Sequence, residues 1–221
     1  MSSDTFVIDP SARMPDADIW FALPAGFVPV PLTDLVAAEE APTSAEGQRY
    51  SLEALAAMWT GPEHSRQLPE LLAPVRRLAH VLAYSGVIHC SVGMHRDDEG
   101  DGSLLLSLFT LGWRETSWAP RGVMAGRAAA GMADASHVEA LDLPCGPATL
   151  VESRTSPQVA DETQELLQVI VYVPFPDARK LAILTLSTVA VHRSGHYRDL
   201  LRETARMVTF DNPFPMDHGE A

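Results

Sequence analysis

The spacing of hydrophobic positions changes near residue 87 of this 221-residue chain. Before that point the period is helical. Residues 50–60 (YSLEALAAMWT) set Leu52, Leu55, Ala56 and Trp59 on one face, and Leu68, Leu71, Leu72, Val75, Leu78, Ala79 and Leu82 recur at 3.6-type spacing. Pro74 kinks the second run or restarts it from a first helical turn, and Gly86 ends it. From residue 87 the pattern is strand-like. Residues 87–95 and 104–111 flank the turn-rich DDEGDGS and predict a hairpin. Residues 120–133 predict a helix, weakened by Gly122, Gly126 and Gly131 at about 1 kcal/mol each relative to alanine. The Gly122/Gly126 spacing predicts a flat helix face lying close against a sheet. Strands are predicted at 138–143, 148–153, 166–174 and 181–189, with PCGP turning the chain between the first two and PFPDARK between the last two. Residues 196–209 close the pattern as an amphipathic helix with Tyr197, Leu200, Leu201, Thr204, Ala205 and Val208 on one stripe and Ser194 as its N-cap.

These elements predict a single α+β domain over residues 1–210. Its parts are a lead-in segment (1–48) with a short strand at 19–23 and a loop, a helical segment (50–85), and a strand-rich core with a closing helix (87–210). In the lead-in, Pro24, Pro29 and Pro31 impose an extended course, and Thr33-Asp34 caps a brief helix running to about Glu40. Residues 211–221 (DNPFPMDHGEA) are rich in breakers and predict a flexible tail. LLLSLF and LLQVIVYV are apolar at both parities, so both faces of the sheet need cover. The expected architecture is an αβα sandwich: a central, mainly antiparallel sheet covered by helices on both faces.

Composition narrows the function classes. The net charge of −13 makes nucleic acid and anionic membranes poor partners and favours a basic protein partner or a basic patch on one. The longest apolar run, 166–173 broken by Gln168, is too short to span a bilayer, so no membrane insertion is expected. The first twenty residues lack the basic and apolar regions of a secretory signal, no lipid-anchor cysteine stands near the start, and two cysteines do not make a disulfide scaffold. A cytoplasmic protein is expected. Lys180 is the only lysine, and this arginine and alanine bias is associated with GC-rich bacterial genomes.

The densest run of reactive side chains is HCSVGMHRDDEGDGS, residues 89–103. On a strand, Ile88, Cys90, Val92 and Met94 point one way, and Val87, His89, Ser91, Gly93 and His95 the other. His89 and His95 then stand roughly 20 Å apart, too far to share a metal ion. The acidic run lacks the bidentate glutamate of a calcium loop and reads as a solvated hairpin turn. Cys145 in its PCGP turn is a candidate nucleophile only if a base is assembled beside it. His192 and His196 have i,i+4 spacing, but Ser194-Gly195 between them forms the helix start, and no HExxH pattern surrounds them. GxGxxG, P-loop, GxSxG and CxxC motifs are missing. No catalytic residues, metal ligands or cofactor follow from these patterns. Trp113 and Trp118 with Arg114 and Arg121, just beyond a strand end, are the candidate partner-binding residues, lining a small groove.

LAILTLSTVAVHRSGHYRDLLRETARMVTF, residues 181–210, resembles the ending of Mog1/PsbP-like proteins, in which an "L-x-L-x-x-ST" strand leads to a helix and a closing "V-x-F". IWFALPAGFVPV is similar to that family's opening strand with its "LP-x-G-F/W" turn, and LDLPCGPATLVESR to the central strand pair of actinobacterial members. The resemblance covers about half the chain and is carried by hydrophobic pattern. It implies an αβα sandwich that acts by binding, with no catalytic residues to carry over. The helical segment at 50–85 and the lack of a lipid anchor depart from the family pattern. The function expected is therefore a non-catalytic cytoplasmic binding or accessory protein of a bacterium, acting through protein–protein contacts, with a homodimer possible. The alternative is a small hydrolase or transferase with a site built on Cys145.

Overall fold

The computed structural model describes residues 6–8, 17–30, 32, 81–97, 100, 102, 104–156, 158–159, 162–163 and 165–213. Their strands are β1 (Phe6–Ile8), β2 (Ala22–Pro24), β3 (Phe27–Pro29), β4 (Val87–Arg96), β5 (Leu104–Glu115), β6 (Ala135–Leu143), β7 (Gly146–Thr155), β8 (Gln158–Val159), β9 (Glu162–Thr163), β10 (Leu166–Pro174) and β11 (Lys180–Thr188). The helices are α1 (Arg121–Ala130) and α2 (Ser194–Arg206), the latter entered through a 3-10 turn at Val191–Arg193. Residues 81–84 are helical as well. The elements expected at 33–40 and 50–80 lie outside the described residues, as does the tail beyond 213.

Seven strands form one sheet in the order β3-β4-β5-β11-β10-β7-β6, and every neighbouring pair is antiparallel. The α+β class with a mainly antiparallel sheet is therefore as expected. At its centre β10 buries both parities. Leu167, Val169, Val171 and Val173 join Leu184, Leu186, Tyr197 and Leu201 in one cluster, while Ile170 and Tyr172 join Leu181, Met124 and Ala129 in another. Burying an apolar side chain of this size stabilises by about 1.5–3 kcal/mol, so each face of the centre needs its own lid. For α2 that lid is built from the predicted stripe, with Tyr197, Leu201, Thr204 and Ala205 buried. Two ion pairs set its rotation: Arg202 Nη2 lies 2.7 Å from Glu139 Oε2, and Arg198 Nε lies 3.5 Å from Glu152 Oε2. The Arg202 hydrogen bond holds the Glu139 carboxyl below the usual carboxylate range against the opposing effect of burial. Backbone bonds of 2.9 Å in both directions between Trp20 and Thr209 tie the lead-in to the segment that follows α2.

Several expectations need correction. Ser194 does not cap α2. It is the first helical residue, Arg193 holds the cap position, and no side-chain cap bond forms. The strand at 19–23 reduces to the Trp20–Thr209 bridge and β2, although Ile19 through Leu23 are all buried. β5 runs on to Glu115 because Gly112–Glu115 continue to pair with β11, ending at Lys180↔Glu115. A register shift between Val87 and His89 bulges β4, so Val87 packs with Cys90 instead of sharing the histidine face. Gly122 and Gly126 face outward: both are exposed, and a Cβ on either would meet no atom within 4 Å. The contact with the sheet is made by the opposite row, Met124, Ala125 and Ala129.

The outward Gly126 leads to a direct expectation. Gly126→Ala adds no clash and removes backbone freedom from the unfolded chain, so it should raise the stability in urea unfolding by up to about 1 kcal/mol. A loss of stability would mean that this face is pressed against another part of the protein.

Candidate functional site

The four expected partner-binding residues, two at the end of β5, one in the connection that follows and one at the start of α1, do not line one groove. Trp113 and Arg114 are consecutive on β5 and project to opposite faces. The Trp113 ring is half-buried, 5.7 Å from Phe175 and 6.4 Å from Phe210. Lys180 Nζ sits 4.3 Å above it and 2.5 Å from Asp18 Oδ2. Trp113 therefore belongs to an aromatic corner on the α2 side. Arg114 lies on the α1 side, its guanidinium 5.6 Å from the centre of the buried Tyr172 ring. Trp118, in the connection from β5 to α1, is 68% exposed, a large fraction for an indole.

Arg121 has a different task. Its Nη2 donates to the carbonyl of Pro174 at 2.8 Å and to the carbonyl of Cys145 at 2.5 Å, and its Nε donates again to Pro174 at 3.2 Å. It thereby ties the start of α1 to the β6–β7 turn and to the end of β10. Gly146 makes room for it. That residue has φ +122°, which an L side chain rarely adopts, and a Cβ there would stand 2.5 Å from Arg121 Nη1. The turn reads as Pro-Cys-Gly-Pro because the guanidinium occupies the side-chain space.

Beside Arg114 lies a cavity of about 350 Å3 between α1 and the sheet. The buried Met124 and Leu181 lie at its base beside Ala128, with Arg114, Glu115 and Arg127 at its polar wall and Thr116 and Ser117 on its rim. Arg127 was not among the residues singled out. The signal was present, since Met124, Arg127 and Ala128 stand at i, i+3 and i+4 on a helix and so share one face. Nothing in the sequence brings that face to Arg114.

In the run 89–103 the expected parity holds beyond the bulge: Cys90 packs with Leu32 and Leu108 on one side, and His89 contacts Phe21 and Phe109 on the other. His89 Nε2 lies 2.6 Å from Ser91 Oγ. The solvated-turn reading fails at Asp97, which is 4% exposed. Its Oδ2 lies 3.3 Å from His192 Nε2, and its Oδ1 accepts from Arg193. Removal from water pushes this carboxyl up, but the hydrogen bonds and charges of His192 and Arg193 more than offset that and leave it below the usual carboxylate range. The β4–β5 turn is thus pinned to the 3-10 turn before α2. His192 and His196 serve separate places, because His196 joins His95, Pro24, Asp199 and Glu203 around a second cavity of about 240 Å3. Its carboxylates are already engaged, Asp199 by Arg202 and Glu203 by Arg206. Among the described residues no group of three or more His, Cys, Asp or Glu is placed to hold a metal ion.

The geometry defines an antiparallel α+β protein with an arginine-walled cavity beside an exposed tryptophan. Searches matched the chain to no protein-family model, no curated protein and no solved structure. No helix among the described residues is long and apolar enough to cross a membrane.

The two thiols are free, Cys90 buried and Cys145 partly so. Burial pushes Cys90 up to about 12. Burial also raises Cys145, against a smaller opposing effect from the Arg121 charge. A raised pKa means less thiolate near neutrality, the reverse of an activated nucleophile. With a maleimide probe near pH 7, Cys145 should react more slowly than free cysteine, and its rate should climb with pH beyond the free thiol's inflection. Labelling faster than free cysteine at that pH would contradict this environment and favour a Cys145-based hydrolase or transferase.

Proposed function

We propose that this is a non-catalytic binding or accessory protein of the bacterial cytoplasm, a Mog1/PsbP-like αβα sandwich acting through protein–protein contacts. Trp118 carries the reading. An indole that is 68% exposed contributes little to the core, whereas tryptophan and arginine are residue types enriched at the energetic centres of interfaces. The support from the fold is the antiparallel sheet with a helix on each face of its central strand, the arrangement the family resemblance implies. The perturbed titratable groups serve structure: Asp97 and Glu139 fix turns and helices, and Cys90 and Cys145 are shifted away from reactivity. The net charge of −13 steers a basic partner from a distance, and Trp118 with Arg114 makes the close contact.

A photo-crosslinking residue at position 118 in the native host tests the reading. One dominant protein adduct is expected, lost when Arg114→Ala is added, and with the partner in hand Trp118→Ala should weaken binding by about 2 kcal/mol, roughly thirtyfold. An adduct pattern no different from that of the same probe at the exposed Asp142 would contradict it.

A further inference from the structure

The arginines of the described residues divide by what answers their charge. Arg154, Arg193, Arg198, Arg202 and Arg206 each stand within ion-pair distance of a carboxylate, and Arg121 is committed to two carbonyls. Arg114, Arg127 and Arg179 are left: among the described residues none of the three has a carboxylate within that distance. In a chain with 29 acidic and 16 basic residues, all three stand around one strand end. Arg114 and Arg127 border the same depression. The carbonyl of Arg179 accepts from the Thr116 N–H at 2.9 Å, which places it beside the end of β5. All three residues are exposed.

Two carboxylates share this neighbourhood without cancelling it. Glu115 also lines the depression, and Asp177 accepts from the backbone N–H of Arg179 at 2.9 Å. Lys180 is matched by Asp18. Three guanidiniums against two carboxylates leave the local balance positive, where the whole chain carries −13. Acidic residues farther than about 10 Å away are largely screened at moderate ionic strength, so the nearby groups set the local sign. Trp118 stands in the same connection, next to Ser117 on the rim, with its indole 68% exposed.

The depression offers no apolar interior to a small molecule, because Met124 and Leu181 at its base are each 2% exposed. Recognition falls to the groups that protrude: one indole and three guanidiniums. A guanidinium fork matches a carboxylate bidentately, and an exposed indole takes an apolar side chain. Groups spread over two strand ends and a helix are reached together by a segment of chain. Nucleic acid would supply anions too, but its bulk meets the repulsive field of the acidic chain.

We propose that the surface formed by Arg114, Trp118, Arg127 and Arg179 docks an acidic segment of a partner protein, with carboxylates on the guanidiniums and an apolar side chain on the indole. This rests on the protein-contact reading and gives the contact its chemistry. The far field of the chain steers a partner that is basic as a whole, while the segment seated here is acidic.

Amide resonances of the isolated full-length chain are followed at about 0.15 M salt against two probes. One is a short peptide of aspartate and serine around a central leucine, and the other carries lysine in place of aspartate. Saturable shifts from the acidic probe are expected at residues 114–118, 127 and 179. Arg114→Gln, Arg127→Gln and Arg179→Gln should each weaken it about two- to fivefold, the scale of an exposed ion pair. Arg206→Gln, whose guanidinium already pairs with Glu203, should leave it unchanged. The proposal is overturned if the acidic probe gives no saturable shift at about 1 mM, if the lysine probe binds as well, or if the triple arginine variant binds as tightly as the original chain. A single-stranded DNA oligonucleotide that binds more tightly than the acidic probe would overturn it in favour of nucleic acid. Crosslinking from position 118 separates this proposal from the reading it rests on. A dominant adduct that survives Arg127→Glu and Arg179→Glu keeps the protein contact and removes the acidic segment, whereas probe binding without an adduct keeps the surface chemistry and removes the contact.

Discussion

The rest of the structure is arranged around a strand that cannot leave either face in water. Residues Leu167, Val169, Val171 and Val173 of β10 are fully buried on one side, and Ile170 and Tyr172 are buried on the other. α2 answers the first side through Tyr197 and Leu201, and α1 answers the second through Met124 and Ala129. The positions of the helices then determine what is left over. α1 lies over β7 and β10, off the centre of the sheet, so the strip formed by β11 and β5 is not roofed by it. That offset opens the cavity between Met124, Ala128, Leu181 and Arg114. The candidate site is a by-product of how one apolar strand is covered.

Holding α1 at that offset is the work of Arg121. A short helix that buries only Met124, Ala125 and Ala129 has little apolar area with which to fix its own place. The Arg121 guanidinium supplies direction instead, joining the first turn of α1 to the carbonyls of Pro174 and Cys145 across space left by Gly146. A charge-assisted hydrogen bond contributes about 1.5–3 kcal/mol, comparable to one buried aliphatic side chain, and it is directional. The arginines at this end of the molecule thus divide between one that builds the site and two, Arg114 and Arg127, that face into it.

How legible each feature was depended on the range of the interaction behind it. β10 is read with its exact bounds because its largely apolar segment, interrupted only by Gln168 and ended by Pro174, is self-contained, and the α2 stripe for the same reason. The β4–β5 hairpin follows from local turn chemistry. What stayed illegible needs a partner distant in the chain. Asp97 looks like any turn aspartate until His192 and Arg193 arrive from the other end of the fold. Gly122 and Gly126 reveal which helix face is flat, but period alone does not say whether that face turns inward. Arg121 sits among tryptophans and arginines that suggest a groove, and its carbonyl acceptors lie 24 and 53 residues away. Of the expected quartet, Arg114 lines the cavity and Trp118 is exposed in the connection to α1, while Trp113 and Arg121 belong to the frame.

The division between building and facing arginines is tested most directly by urea unfolding of three single variants, Arg121→Ala, Arg114→Ala and Arg127→Ala, measured side by side. Arg121→Ala should lose about 1–3 kcal/mol, because it leaves the Cys145 and Pro174 carbonyls without their donor. The other two should stay within about 0.5 kcal/mol of the original chain, as exposed side chains without ion-pair partners do. A neutral Arg121→Ala, or a loss at Arg114 or Arg127 as large as at Arg121, would contradict it.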